Sequence, residues 1–136
     1  REGVSMMEPI VWETNVLAYI VRGAVMPEKT VFPTGPELEL QVGFVVYQAG
    51  GAVAPHRHLP VIRKISRTCE VILVKKGRCE LDLYNDDRRV IATRELRTDD
   101  LVILVSGGHG FRMLEDTILL EVKQGPYFGA DEKERL

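Results

Sequence analysis

The chain has three histidines, and all of them fall in two short segments, His56-Arg57-His58 and Gly107-Gly108-His109-Gly110. Residues two apart on a strand point to the same face, so His56 and His58 can present both imidazoles to one side, a spacing that permits chelation. Glu70 shares strand parity with Ile72 and Val74, which sends a carboxylate toward the interior of an otherwise apolar strand. A charge in such surroundings needs a partner. One divalent cation held by His56, His58, Glu70 and His109 would satisfy all four side chains, because the metal supplies the compensating charge. Taken alone, a His-x-His pair reads more often as a surface pair or a satisfied core histidine. Glu70 and His109 together turn that balance toward a metal. Imidazole and carboxylate suit iron, manganese, nickel and zinc alike, so the expected cofactor is one divalent ion of that set.

Arg57 lies between the two histidines, and Arg63, Lys64 and Arg67 follow closely. Arginine grips carboxylate and phosphate in a bidentate way, so Arg57, Arg63 and Arg67 are candidates to hold an anionic small molecule, such as a sugar nucleotide or a carboxylic acid, over the metal. A solvated charged face on a loop is the other reading of the same residues. Phe111 and Met113 share parity with His109 and, with Tyr84, are candidates to line the ligand space; core packing accounts for them equally well. Arg112 has the opposite parity and is expected to face out. No general base stands out beside the site, and Trp12 receives no role.

The elements that must position these residues read as short strands. From Glu37, the residues Leu38, Leu40, Val42, Phe44 and Val46 alternate with polar or small ones, the period of a half-buried strand. It ends at Gln48-Ala49-Gly50-Gly51, whose glycines permit a turn leading toward Pro55 and the histidine pair. Cys69 to Lys75 is rich in β-branched residues and breaks at Lys76-Gly77, after which Cys79, Leu81 and Leu83 share a face, a pattern that predicts a hairpin. Turns are expected at Asn85-Asp86-Asp87, Thr98-Asp99-Asp100, Ser106-Gly107-Gly108 and Glu115-Asp116. Helical character is confined to Glu13–Val21 and the tail Asp131–Leu136, the latter read as a solvated end. Met26–Pro36 carries three prolines and cannot be a central strand. Many short strands with regular turns predict an all-β sandwich or barrel.

Gly50, then His56-Arg57-His58, and later Glu70, six residues and Gly77, together resemble the first motif of the cupin superfamily. The ten-residue step from Asp99 to His109 through Leu101–Val105 resembles the second. The resemblance covers roughly residues 38–122. It implies a single-domain cupin double-stranded β-helix, a jelly-roll-like barrel, with a three-histidine, one-glutamate metal centre in its mouth. Eleven residues separate His58 from Glu70, an insertion relative to the family. That leaves a three-histidine centre without carboxylate open, and Glu80 and Glu121 as substitutes for Glu70. Leu119–Tyr127, with Pro55–His58, is similar to the WbuC-type cupin metalloproteins, which are associated with surface-polysaccharide genes. On this reading residues 1–36 form an arm and loop packed on a barrel of residues 37–127, and residues 128–136 form a tail.

Among 136 residues, 18 are basic and 20 acidic, so no overall field draws in nucleic acid or anionic lipid. The length suits one domain with a real core. Cys69 and Cys79 lack Cys-x-x-Cys spacing and read as reduced thiols. No apolar run suits a membrane span and Arg1–Pro9 does not read as a signal peptide, so a cytoplasmic protein is expected. Three functions fit: a metal-dependent cupin enzyme, of isomerase or dioxygenase type, acting on a small polar or anionic metabolite; a non-catalytic cupin module that binds a small ligand or sugar; and a dimeric accessory protein. A homodimer is expected in any case, because short strands leave sheet edges that pairing would cover.

Overall fold

Period-two patterns build most of the molecule. The computed structural model describes residues 6–136 and is all-β, in two antiparallel sheets. The larger sheet contains β1 (Glu8–Trp12), β2 (Asn15–Val21), β3 (Glu70–Lys76), β6 (Leu101–Leu104) and β8 (Ile118–Lys123), in the order β1-β2-β6-β3-β8. The smaller contains β4 (Arg78–Tyr84), β5 (Val90–Arg97) and β7 (Gly108–Met113), in the order β5-β4-β7. A short 3-10 turn, Ala130–Glu132, follows β8. No helix among the described residues is long and apolar enough to cross a membrane.

The sheets face each other across a core of Leu17, Ile20, Ile72, Val74, Leu81, Leu83, Leu96 and Val102. Each of these buried side chains contributes about 2 kcal/mol by leaving water. A second cluster covers the far side of the larger sheet: Val21, Ile103 and Val105 pack with Leu38, Leu40, Val42 and Phe44. The outer face of the smaller sheet is polar. There Arg112 of β7 pairs with Glu80 and Asp82 of β4, and Thr93 of β5 donates to Asp82. Arg112 therefore faces out, as its parity predicts.

Four expectations change. The two sheets keep edge strands among the described residues, β1 and β8 in the larger and β5 and β7 in the smaller, so the sandwich is open and is not a closed barrel. The segment with expected helical character, Glu13–Val21, is chiefly strand β2, hydrogen-bonded between β1 and β6. β3 and β4 are not a hairpin. They lie in different sheets, and Gly77 is the corner between them, at φ +93° and so close to Asp116 that a Cβ would collide with its carbonyl. Leu38–Val46 has the predicted alternation but joins no sheet. Its one β-bridge pairs Phe44 with Val31, and Thr30 and Thr34 side chains supply oxygens to the amides of Val46 and Val42. The proline-rich loop beside it offers too few amides to build a ladder.

The predicted turns form. Asn85 Oδ1 accepts from the amides of Asp87 and Arg89, Asp99 sits at φ 77°, and Gly107 at φ 71°. From β3 onward the chain crosses between sheets at Gly77, at Thr98–Asp100 and at Leu114–Thr117, all at one end of the sandwich, and at Val105–Gly107 at the opposite end. Glu70, at the start of β3, therefore marks the other end.

Candidate functional site

Strand parity carries Glu70, Ile72 and Val74 of β3 to the inter-sheet face. Register with β8 then places Leu119, Glu121 and Lys123 on the same face, since Glu70 opposes Lys123 and Ile72 opposes Glu121. In the smaller sheet, His109 opposes Leu83 and Phe111 opposes Leu81, so β7 turns His109 and Phe111 inward. The two faces meet at the open end: His109 Nε2 lies 3.1 Å from Glu70 Oε1, and Glu70 shares a hydrogen bond with Glu121. The ring of Phe111 stands edge-on to His109, centroids 6.2 Å apart.

These contacts set the electrostatics. Burial first, then the hydrogen bond and charge of Glu121, push the Glu70 carboxyl from 4.5 up to about 7, against the pull of Lys123 and Lys133. The hydrogen bond from Glu70 holds Glu121 below the usual carboxylate range. Burial lowers the basicity of His109, opposed by the Glu121 charge. Near neutrality the group is a carboxyl, a carboxylate and a neutral imidazole within reach of one another. Such a set can exchange protons with a bound molecule or offer lone pairs to a cation.

Of the predicted site residues, Glu70 and His109 meet here, while His56 and His58 do not join them. Their rings lie 5.4 Å apart, and His56 Nδ1 is 2.8 Å from the Ala54 carbonyl oxygen, within residues 51–68, every one of which is exposed. The pair is therefore on no strand. Arg57, Arg63 and Lys64 share that exposed segment, and Arg67 at its base pairs with Glu39 at 3.2 Å. Met113 is half-exposed at the far end of β7. Tyr84 lies over Gly108 and Gly110, on the face opposite His109. Among the described residues, no three His, Cys, Asp or Glu side chains are placed to hold a metal ion together.

Of the two substitutes for Glu70, Glu80 is committed to Arg112 on the outer face. Glu121 is the one that reaches the cluster. Lys123 and Lys133 are not among the sequence candidates. The packing of Leu119 on the core fixes the inner face of β8 and so places Lys123, and nothing local marks Lys133. The tail it belongs to is tied down, because Glu134 pairs with Arg88 at 2.7 Å and Leu136 packs against Gly108. Cys69 and Cys79 are buried free thiols, and burial raises both.

Two shallow clefts of about 210 and 200 Å³ adjoin Arg67. Tyr19 and Glu37 line the first, Trp12 and Asp86 the second, and Asn15 both. Neither contains His109 or Glu70. Comparison with protein-family models, with curated proteins and with solved structures finds no match to this chain.

Proposed function

We propose that this is a small metal-binding protein of the cupin type, which binds or acts on a small polar or anionic metabolite at one divalent metal ion. The observation that carries the reading is the contact between Glu70 and His109, 39 positions apart in sequence, with Glu121 hydrogen-bonded to the same carboxyl. The donor chemistry fits a cation: an imidazole already biased to its neutral form, and two acidic groups whose mutual repulsion a positive ion would relieve. Glu70 and His109 would hold the metal with His56 and His58 from the exposed segment, and Glu121 stands beside Glu70. When bound, such an ion supplies Lewis acidity or redox chemistry to a ligand at its open positions.

The chain's own residues add the rest. Lys123 and Lys133 bias the opening toward anions, Phe111 gives it an apolar wall, and Glu70 can give or take a proton near neutrality. The jelly-roll assignment draws support from a chain that passes between two antiparallel sheets four times from β3 onward, with only β4 and β5 consecutive in one sheet. A non-catalytic binding module would use the same residues.

Metal content decides the reading. Protein purified without a polyhistidine tag and reconstituted with iron, manganese, nickel or zinc should hold about one ion per chain, and His109→Ala should hold much less. Wild-type protein that takes up none of the four would sink it. A defined product from candidate metabolites in the loaded protein separates the enzyme from the module.

A further inference from the structure

Among the described residues, 52–68 make no backbone–backbone hydrogen bond, and every one is exposed. Yet the segment is not built like a solvated loop. Leu59 and Val61 are more than half exposed, Ile62 is fully so, and Val53 and Ile65 add to them. Leaving so many large apolar side chains in water is costly for a soluble chain. Its charge is also one-sided. Arg57, Arg63, Lys64 and Arg67 lie in it, and between Glu39 and Glu70 there is no acidic residue, although the chain as a whole has more acid than base.

The sandwich shows the complement of this segment. Among the described residues β7 and β8, like β1 and β5, each pair on one side alone, so backbone donors and acceptors stand free along them. Ile118, Leu120 and Val122 of β8 are about half exposed there and continue, through Val71 and Leu73, the apolar face that Leu38–Phe44 covers elsewhere. Between these two edges lie Glu70 and Glu121, with Lys123 and Lys133 close by, beside the one histidine outside the segment. Free strand edges are templates for pairing, and an extended segment rich in apolar side chains is a suitable addition to them.

We propose that the segment 51–68 of one copy seats along the open β7–β8 side of a second copy, reciprocally, and brings its His56 and His58 to Glu70 and His109 of that copy. This rests on the metal reading above and names what completes the site. Ten residues lie between His58 and Cys69, and fully extended they reach about 35 Å, more than twice the radius of gyration of about 14 Å for a domain of this size. The segment can therefore span a dimer axis. Exchange of identical elements about a two-fold axis is a low-cost route to a closed dimer, and two such arms give roughly the 20–30 residues a side of an ordinary interface.

The test is complementation between two defective chains carrying different affinity tags, neither of them polyhistidine. His56→Ala/His58→Ala and His109→Ala are co-expressed and the heterodimer isolated through both tags. Exchange leaves one intact site, so the heterodimer should hold about one metal ion, against about two in the wild-type dimer and close to none in either defective homodimer. A heterodimer without metal, beside a wild-type dimer that binds it, overturns exchange and leaves the metal reading standing. A wild-type chain that is monomeric by light scattering overturns exchange as well. If the wild-type dimer takes up no metal, the metal reading has failed, and Leu59→Asp/Ile62→Asp then judges the seating alone. Both positions are exposed in the single chain, so the fold should survive. The dimer should weaken at least 100-fold; an unchanged dimer refutes the seating.

Discussion

Replacing Glu70 by glutamine should stabilise the metal-free protein above neutrality and leave it nearly unchanged at pH 4. Folding reduces the Glu70 side chain to 13% exposure and sets it against Glu121, so the neutral acid is favoured and titrates at about 7 instead of 4.5. Between those values the folded chain keeps a proton that the unfolded chain releases. The resulting stability is fully present below 4.5 and is lost as pH rises through about 7. Full linkage at about 1.4 kcal/mol per pH unit would give about 3 kcal/mol. The cluster opens to water, with Lys123 and Lys133 nearby, so screening reduces this to about 1–2 kcal/mol. Glutamine keeps the shape, never ionises, and donates to Glu121 through its amide as the protonated carboxyl does. His109, whose basicity is lowered, contributes the opposite slope below 6.5 in both proteins, and the difference between them cancels it. Urea unfolding in a chelator at pH 4, 6 and 8 measures the difference, and a shift of about 3–8 °C in Tm at pH 8 is the thermal equivalent. A difference that is constant across the three pH values, or a variant less stable than wild type at pH 8, would refute the reasoning.

Gly77→Ala should cost about 2–4 kcal/mol, because the corner needs φ +93° and a Cβ meets the Asp116 carbonyl; Gly50→Ala, at φ +89° in open space, should cost about 1 kcal/mol. Equal losses in chemical denaturation would contradict the crowding at Gly77. Asp100→Asn should be about 2–3 kcal/mol less stable than wild type and no better than Asp100→Ala. One carboxylate oxygen of Asp100 accepts from the Gly23 amide and the other from the Arg97 amide and Arg22, so either orientation of an asparagine sets its NH2 against a donor. An asparagine variant as stable as wild type would show that the clip is not made.

Downstream of Glu70 the strands were legible because alternation and turn chemistry agree, as at Asn85 and Gly107. Upstream they were not, for reasons of burial. β2 reads Val16-Leu17-Ala18-Tyr19-Ile20-Val21 without a polar break because both its faces are covered, by the inter-sheet core and by the Leu38–Phe44 layer, and a strand buried on both sides loses its period. Leu38–Phe44 shows the converse. One side of it is apolar because it lies on a sheet, although its own backbone is paired with almost nothing. Gly77 misleads in a third way, since a glycine between two strands looks the same whether the chain folds back in one sheet or turns the corner into another. What decides it is the Asp116–Thr117 turn, some 40 residues later.

The site was legible to the extent that parity reaches. Glu70 and His109 were assigned to inward faces from their own strands, and inward faces of opposed sheets can meet at a shared end. Parity says nothing of a residue with no strand to belong to, so His56-x-His58, a spacing suited to one face, lies instead in an exposed segment whose pairing depends on a surface elsewhere. The two substitute glutamates separate on the same principle. Glu80 alternates with the buried Cys79 and Leu81, which sends it outward to Arg112. Glu121 sits in Ile118-Leu119-Leu120-Glu121-Val122, where apolar residues occupy both parities and no pattern names the inner face. Only the packing of Leu119 on the core does so, because residues two apart must share a face. That contact, and not the chemistry of Glu121, is what places a second carboxyl against Glu70 and moves the pair's shared proton into the neutral range.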